Sequence, residues 1–137
     1  MIPVVRHLIV CEELLRHSEN SNKVTLVNVI STIRPTDEAG FPLVVSQVCV
    51  YAQITECRGT GKIQLRITHP DSGQTIFQST ERQLTFPNRP LDVVGIPFRI
   101  LDCSFAIPGL YHVELWFDQV CLAQQPVRVE EIRHVTE

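Results

Sequence analysis

The chain has 137 residues, 44% of them hydrophobic, and a formal net charge of −3. That length suits one domain around one core, burying roughly two thirds of the unfolded surface, and leaves too little chain for a second. The charge lacks the lysine and arginine excess needed to neutralise a phosphate backbone, so no nucleic-acid partner is expected.

Met1 to Val10 is apolar, but Arg6 and His7 interrupt the run and no small-residue cleavage site follows. It therefore reads as a first strand rather than an export signal. No segment reaches the length of about 20 apolar residues that spans a bilayer as a helix. For the chain taken as complete, the expectation is a cytoplasmic protein with no membrane partner.

The first strand is expected over Val5 to about Arg16, although Cys11–His17 alone would also suit a short helix. The polar cluster at Ser18–Asn22 predicts a turn, and Lys23–Ile33 a second, β-branched strand that completes a hairpin. Arg34–Pro42 holds two prolines and a glycine, which favours a crossing loop between sheets. The next strand is placed at Val45–Thr55, with Val48, Val50, Ala52 and Ile54 on one face.

Arg58-Gly-Thr-Gly61 turns the chain into Lys62–His69, where Ile63, Leu65 and Ile67 alternate with polar residues. Pro70-Asp-Ser-Gly73 is a turn, because proline fixes φ, aspartate bonds local backbone and glycine accepts a positive φ. It leads into a strand at Thr75–Phe86, closed by Pro87-Asn-Arg-Pro90. A strand at Val93–Cys103 contains Pro97, which cannot donate to a ladder and so belongs at a sheet edge or a bulge. Strands at Leu110–Asp118 and Cys121–Glu131 complete the chain.

About seven to eight strands with turn signals between them, and no long helix, predict an all-β, antiparallel, immunoglobulin-like β-sandwich in a single domain over residues 1–137. Tyr111, two residues after Gly109, reads either as a tyrosine corner, whose hydroxyl bonds nearby backbone, or as a core aromatic after a turn.

Four features together resemble a family of small, stand-alone bacterial β-sandwich proteins classed as a domain of unknown function. They are Cys11-Glu12-Glu13 closing the first strand, the run Lys23-Val-Thr-Leu-Val-Asn-Val29, the Pro70–Gly73 turn and the segment Pro108-Gly-Leu-Tyr-His-Val-Glu-Leu115. The resemblance spans nearly the whole chain. It implies an immunoglobulin-like fold and brings no established activity or catalytic residue.

Chemistry is sparse. The five cysteines contain no C-x-x-C pair, so a disulfide framework is disfavoured and core packing is the expected role, with one bridge between Cys49 and Cys57 left open. His7 and Cys11 share a strand face but would lie roughly 13 Å apart, too far to hold one ion. Gly59-Thr-Gly-Lys62 lacks the spacing and following helix of a phosphate loop. No nucleophile signature is present, so no catalytic residue, metal or cofactor is assigned.

Surface for contact remains. Trp116 falls on the polar parity of its strand beside His112, either as an outward interface anchor or as a side chain buried under a loop. The leading expectation is a non-enzymatic binding or assembly module. It would meet a protein partner or a second copy of itself through open sheet edges or the face around Trp116. The alternative is a ligand-binding or enzymatic site built from loops, drawing on Arg34, Asp37 and Glu38, on Arg58, and on Asn88, Arg89 and Asp92. Trp116, His112, Arg34, Arg58 and Arg89 are the candidate binding residues.

Overall fold

The computed structural model describes residues 2–17, 23–35, 40–86, 89 and 91–131. Among them the chain forms ten strands: β1 (Val4–Arg16), β2 (Val24–Val29), β3 (Thr32–Ile33), β4 (Leu43–Thr55), β5 (Thr60–His69), β6 (Gln74–Gln78), β7 (Arg82–Thr85), β8 (Val94–Phe105), β9 (Gly109–Phe117) and β10 (Val120–Val129). One sheet has the order β2-β1-β4-β8. The other has β3-β10-β9-β5-β6, with β7 also on the free side of β5.

The period of two decides which side chains meet between the sheets. Ile63, Leu65 and Ile67 of β5 lie opposite Phe117, Leu115 and Val113 of β9, and all six are buried. Val48, Val50, Ala52 and Ile54 of β4 face them from the first sheet, joined by Val10 of β1 and by Ile96, Phe98 and Ile100 of β8. Each fully buried aliphatic side chain here contributes about 1.5–3 kcal/mol. Gly61 is required by this packing, because a Cβ there would collide with the Phe117 ring.

Tyr111 is a tyrosine corner: its hydroxyl donates to the Ile107 carbonyl at 2.6 Å, and its ring meets Phe105 edge-on at 4.9 Å. Together with the two packed sheets, antiparallel except where β3 runs parallel to β10, it makes the fold an immunoglobulin-like β-sandwich. The Pro70–Gly73 turn closes with the Gly73 amide on the His69 carbonyl and Gly73 at φ +70°. Pro97 lies in β8, the edge strand of its sheet, where the missing amide costs no central ladder bond. The first segment is strand throughout. The turn expected at Ser18–Asn22 lies outside the described residues.

Two expected strands are each divided. The Lys23–Ile33 run bends at Asn28, which takes φ +54°, and then changes sheets. The Ile30 amide still donates to Val10 of β1, whereas the Ser31 carbonyl accepts from Arg128 of β10, so the crossing is complete within a residue. The Thr75–Phe86 run divides into β6 and β7 around Ser79. There the Ser79 hydroxyl accepts from the Leu65 amide and the Ser79 amide donates to the Leu65 carbonyl, standing in for a ladder pair on β5.

Candidate functional site

A kink crosses the first sheet. In β8 the inward residues run Ile96, Phe98, Ile100 and then Cys103, Phe105. In β4 they run Leu43, Val45 and then Val48, Val50. Each strand therefore slips one place in its alternation, at Asp102 (φ +53°) and opposite it at Ser46, where the pairing is interrupted between Val45↔Cys103 and Gln47↔Leu101. On the other side of the sheet, Asn28 sits opposite Glu12, and β1–β2 pairing is interrupted between Cys11↔Val29 and Glu13↔Val27. Aspartate and asparagine tolerate the left-handed region better than other non-glycine residues.

The kink separates β1 from β4. Their pairing runs from Val4↔Thr55 to Cys11↔Cys49 and stops. Beyond it, among the described residues, Glu13–Arg16 pair only with β2, forming a two-stranded arm. Leu14 and Arg16 of the arm share a cavity of about 350 Å³ with Cys49, Pro97 and Arg99, so the arm leans over the outer face of its own sheet. Cys49 beneath it, with its neighbours Cys11 and Tyr51, is almost wholly buried although all three lie outside the main core.

Where β1 departs, β4 loses a neighbour. Among the described residues, backbone hydrogen bonds tie Leu43–Gln47 to β8 alone. Their other edge opens on a cleft of about 520 Å³, walled by Glu12, Glu13 and Val27 of the arm and by Ile30 and Thr32–Arg34 of the crossing segment. β3, on the far wall, is itself the edge strand of the second sheet. The cleft thus lies between two strand edges, with apolar walls and a charged rim.

The rim charges are unequal. Arg34 Nε donates to Glu130 Oε2 at 3.0 Å, which neutralises the arginine. Glu12 accepts from Asn28 Nδ2 at 2.8 Å, a neutral partner, and its backbone carbonyl accepts from Gln47 Nε2 at 3.2 Å. Among the described residues no cation pairs with Glu12 or Glu13, so the rim carries their negative charge.

The candidate binding residues from the sequence are dispersed. Arg34 stands at this cleft. Arg58 and Arg89 are exposed beyond the opposite end of β4, where Thr55 Oγ1 donates to the Asp92 carbonyl and Phe86 donates to that of Gly59. Twelve strand residues, roughly 40 Å, separate the two ends, so these loops do not share one site. Asp37, Glu38 and Asn88 lie outside the described residues.

His112 and Trp116 lie on the outer face of the second sheet, both half-buried. The Arg66 guanidinium stacks 4.0 Å from the Trp116 ring centre, and the indole N–H donates to Glu114 Oε1 at 3.0 Å. Glu114 Oε2 accepts from Thr68 Oγ1 at 3.2 Å. Among the described residues, an arginine from the neighbouring strand stacks on this tryptophan, and its polar handle is engaged within the sheet.

Among the described residues, no group of three or more histidine, cysteine, aspartate or glutamate side chains gathers closely enough to hold a metal ion, and no helix is long and apolar enough to cross a membrane. Cys57 belongs to the core cluster whereas Cys49 faces the other side of its sheet, so the two do not meet across their turn. Burial pushes the Cys103 thiol up to about 11.

The cleft residues missed in the sequence, Glu12, Glu13 and Leu43–Gln47, did leave a signal. Glu12-Glu13 followed by Leu14-Leu15 breaks the period of two, as does the pair Val44-Val45 before Ser46-Gln47. Such slips mark bulges and bends.

Comparison with known proteins agrees on fold and offers no activity. The chain is similar to part of the alkylpurine DNA glycosylase AlkC of Pseudomonas fluorescens, solved bound to DNA containing an abasic-site analogue, with TM-score 0.54 and 9% identity. The match covers 93% of this chain but only 30% of the glycosylase. It also matches an immunoglobulin-like protein from Pseudomonas aeruginosa, with TM-score 0.47 and 12% identity over 95% of this chain and 98% of that one. Among curated proteins none matches the sequence. The sequence profile of a family of unknown function, DUF6941, matches residues 6–130, nearly the whole sandwich, and the chain belongs to that family.

Proposed function

We propose that the protein is a non-enzymatic binding module that accepts an extended segment of another protein chain along the open edge of β4. The carrying observation is that, among the described residues, Leu43–Gln47 are paired on one side only and line a cleft of about 520 Å³. An unpaired strand edge is a template for strand addition: backbone hydrogen bonds supply affinity, and pockets for alternate side chains supply specificity. Five edge residues span roughly 17 Å, the length of an ordinary short strand.

The chemistry of the walls selects the occupant. Val27, Ile30, Leu43 and Val45 favour apolar side chains at alternate positions. Glu12 and Glu13 favour a lysine or arginine between them, since the rim arginine is already paired with Glu130. The face around Trp116 is less open to a partner, because its arginine, indole and carboxylate satisfy one another.

The test measures fluorescence polarisation with two eight-residue peptides alternating valine with lysine or valine with glutamate. We expect the lysine peptide to bind and the glutamate peptide to bind about fivefold more weakly. The Glu12→Lys/Glu13→Lys double variant should reverse that order. Failure of both peptides to bind, or preference untouched by the double variant, would contradict the proposal. A concentration-dependent dimer that the double variant abolishes would make a second copy of the chain the occupant instead.

A further inference from the structure

We infer that Cys11 and Cys49 form a reversible disulfide across β1 and β4, making the root of the arm a redox-modifiable site. This inference is independent of what the cleft binds. The two residues are Cα partners in the last pair of the β1–β4 ladder, immediately before β1 bends away. Directly opposed residues in an antiparallel pair have Cα atoms about 4.5 or 5.5 Å apart, and both spacings fall within the range of about 4.4–6.8 Å that a disulfide spans. Opposed residues also project from the same face. The Cys11 thiol is pushed up, first by burial and next by the charge of Cys49.

The other three cysteines have no such counterpart. Cys57 and Cys103 lie in the core between the sheets, and Cys121 lies on the outer face of the second sheet opposite Trp116. Cys11 and Cys49 are 0% and 1% exposed beneath the arm. Cys49 nevertheless borders the 350 Å³ cavity, whose wall includes the exposed Arg16 and Arg99. Two cations beside that cavity suit an anionic small-molecule disulfide as the oxidant.

The exchange proceeds in two steps. The Cys49 thiolate attacks one sulfur of the small disulfide, forming a mixed disulfide and releasing one thiol, which takes up a proton. Cys11, having lost its proton to solvent, then attacks Cys49 Sγ and expels the second thiol. The protein pair is oxidised by two electrons and one small disulfide is reduced to two thiols. Because both sulfurs are covered, the arm must lift before the first step, so the bond forms slowly and then holds the arm at its root.

The experiment equilibrates the folded Cys121→Ser protein, which lacks the half-exposed thiol, in oxidised and reduced glutathione buffers of increasing ratio. Acid quenching and peptide mapping by mass spectrometry then locate the bond. We expect a single bond joining the Cys11 and Cys49 peptides, reversed by excess reduced glutathione, with Cys57 and Cys103 free and the melting temperature raised by about 5–10 °C. The wild type should show the same bond, and Cys49→Ala should lack it. Four free thiols in the most oxidising buffer would overturn the inference, as would a bond between any other pair, one formed only in denaturant, or one that lowers the melting temperature.

Discussion

The two halves of β4 differ in their neighbours far more than in their composition. Val48–Thr55 lie between β1 and β8, and nearly every residue is buried on both faces of the sheet. Leu43–Gln47 are just as β-prone, yet their burial alternates, because β8 is their sole ladder partner among the described residues. A strand becomes an available edge when its neighbour leaves. Here the neighbour leaves at one line of residues, Asn28 and Glu12, with Ser46 and Asp102 marking its continuation.

The contrast is expected to be largest in the core half. Ile54→Ala should lower stability by about 2–5 kcal/mol in urea denaturation, because its side chain is fully enclosed. A loss below about 1 kcal/mol would mean that this half is less closed than its burial implies.

Alkaline pH probes the inner face beneath the open half, where Cys103 stands opposite Val45. Its thiol, ordinarily near 9.0, is held up to about 11 by burial. Above pH 9 the unfolded chain releases this proton while the native state keeps it. Stability should therefore fall by up to about 1.4 kcal/mol per pH unit from pH 9 to 11, and stay intact below pH 9. Cys103→Ala should flatten that part of the profile. An unchanged slope would mean that water reaches the inner face as well as the edge.

Tyr111→Phe removes the hydroxyl bonded to Ile107 while leaving the ring against Phe105, which pairs with Leu43. A loss of about 0.5–1.5 kcal/mol is expected in the same denaturation assay. At the small end, Val44→Ala should change stability by less than about 0.5 kcal/mol, since Val44 is 55% exposed. A much larger loss there would show that the edge half is packed after all.

Much of the architecture was legible in the sequence because it is local. Alternation located β5 and β9, turn chemistry located Pro70–Gly73, and the missing proline amide left β8 an edge or a bulge, of which it is the edge. Tyr111 was singled out by its offset to Gly109, as a corner or as a core aromatic, and its bond to Ile107 decides for the corner. The sheet change after Val29 was not, because the run to Ile33 holds no glycine or proline and the bend rests on one asparagine in a left-handed conformation. Of the cleft, only Arg34 was singled out. Its remaining walls depend on β1 parting from β4, a non-local event of the kind that also sets Cys11 opposite Cys49.

Hydrogen–deuterium exchange of β4, followed amide by amide by NMR, tests the open edge most directly. In the free protein we expect the cleft-facing amides within Leu43–Gln47 to exchange fast while those of Val48–Ile54 are strongly protected. Adding the lysine-bearing strand peptide should protect the fast ones selectively. Uniform protection along β4 without peptide, or no gain at Leu43–Gln47 under peptide saturation, would contradict the assignment of this edge as the binding site.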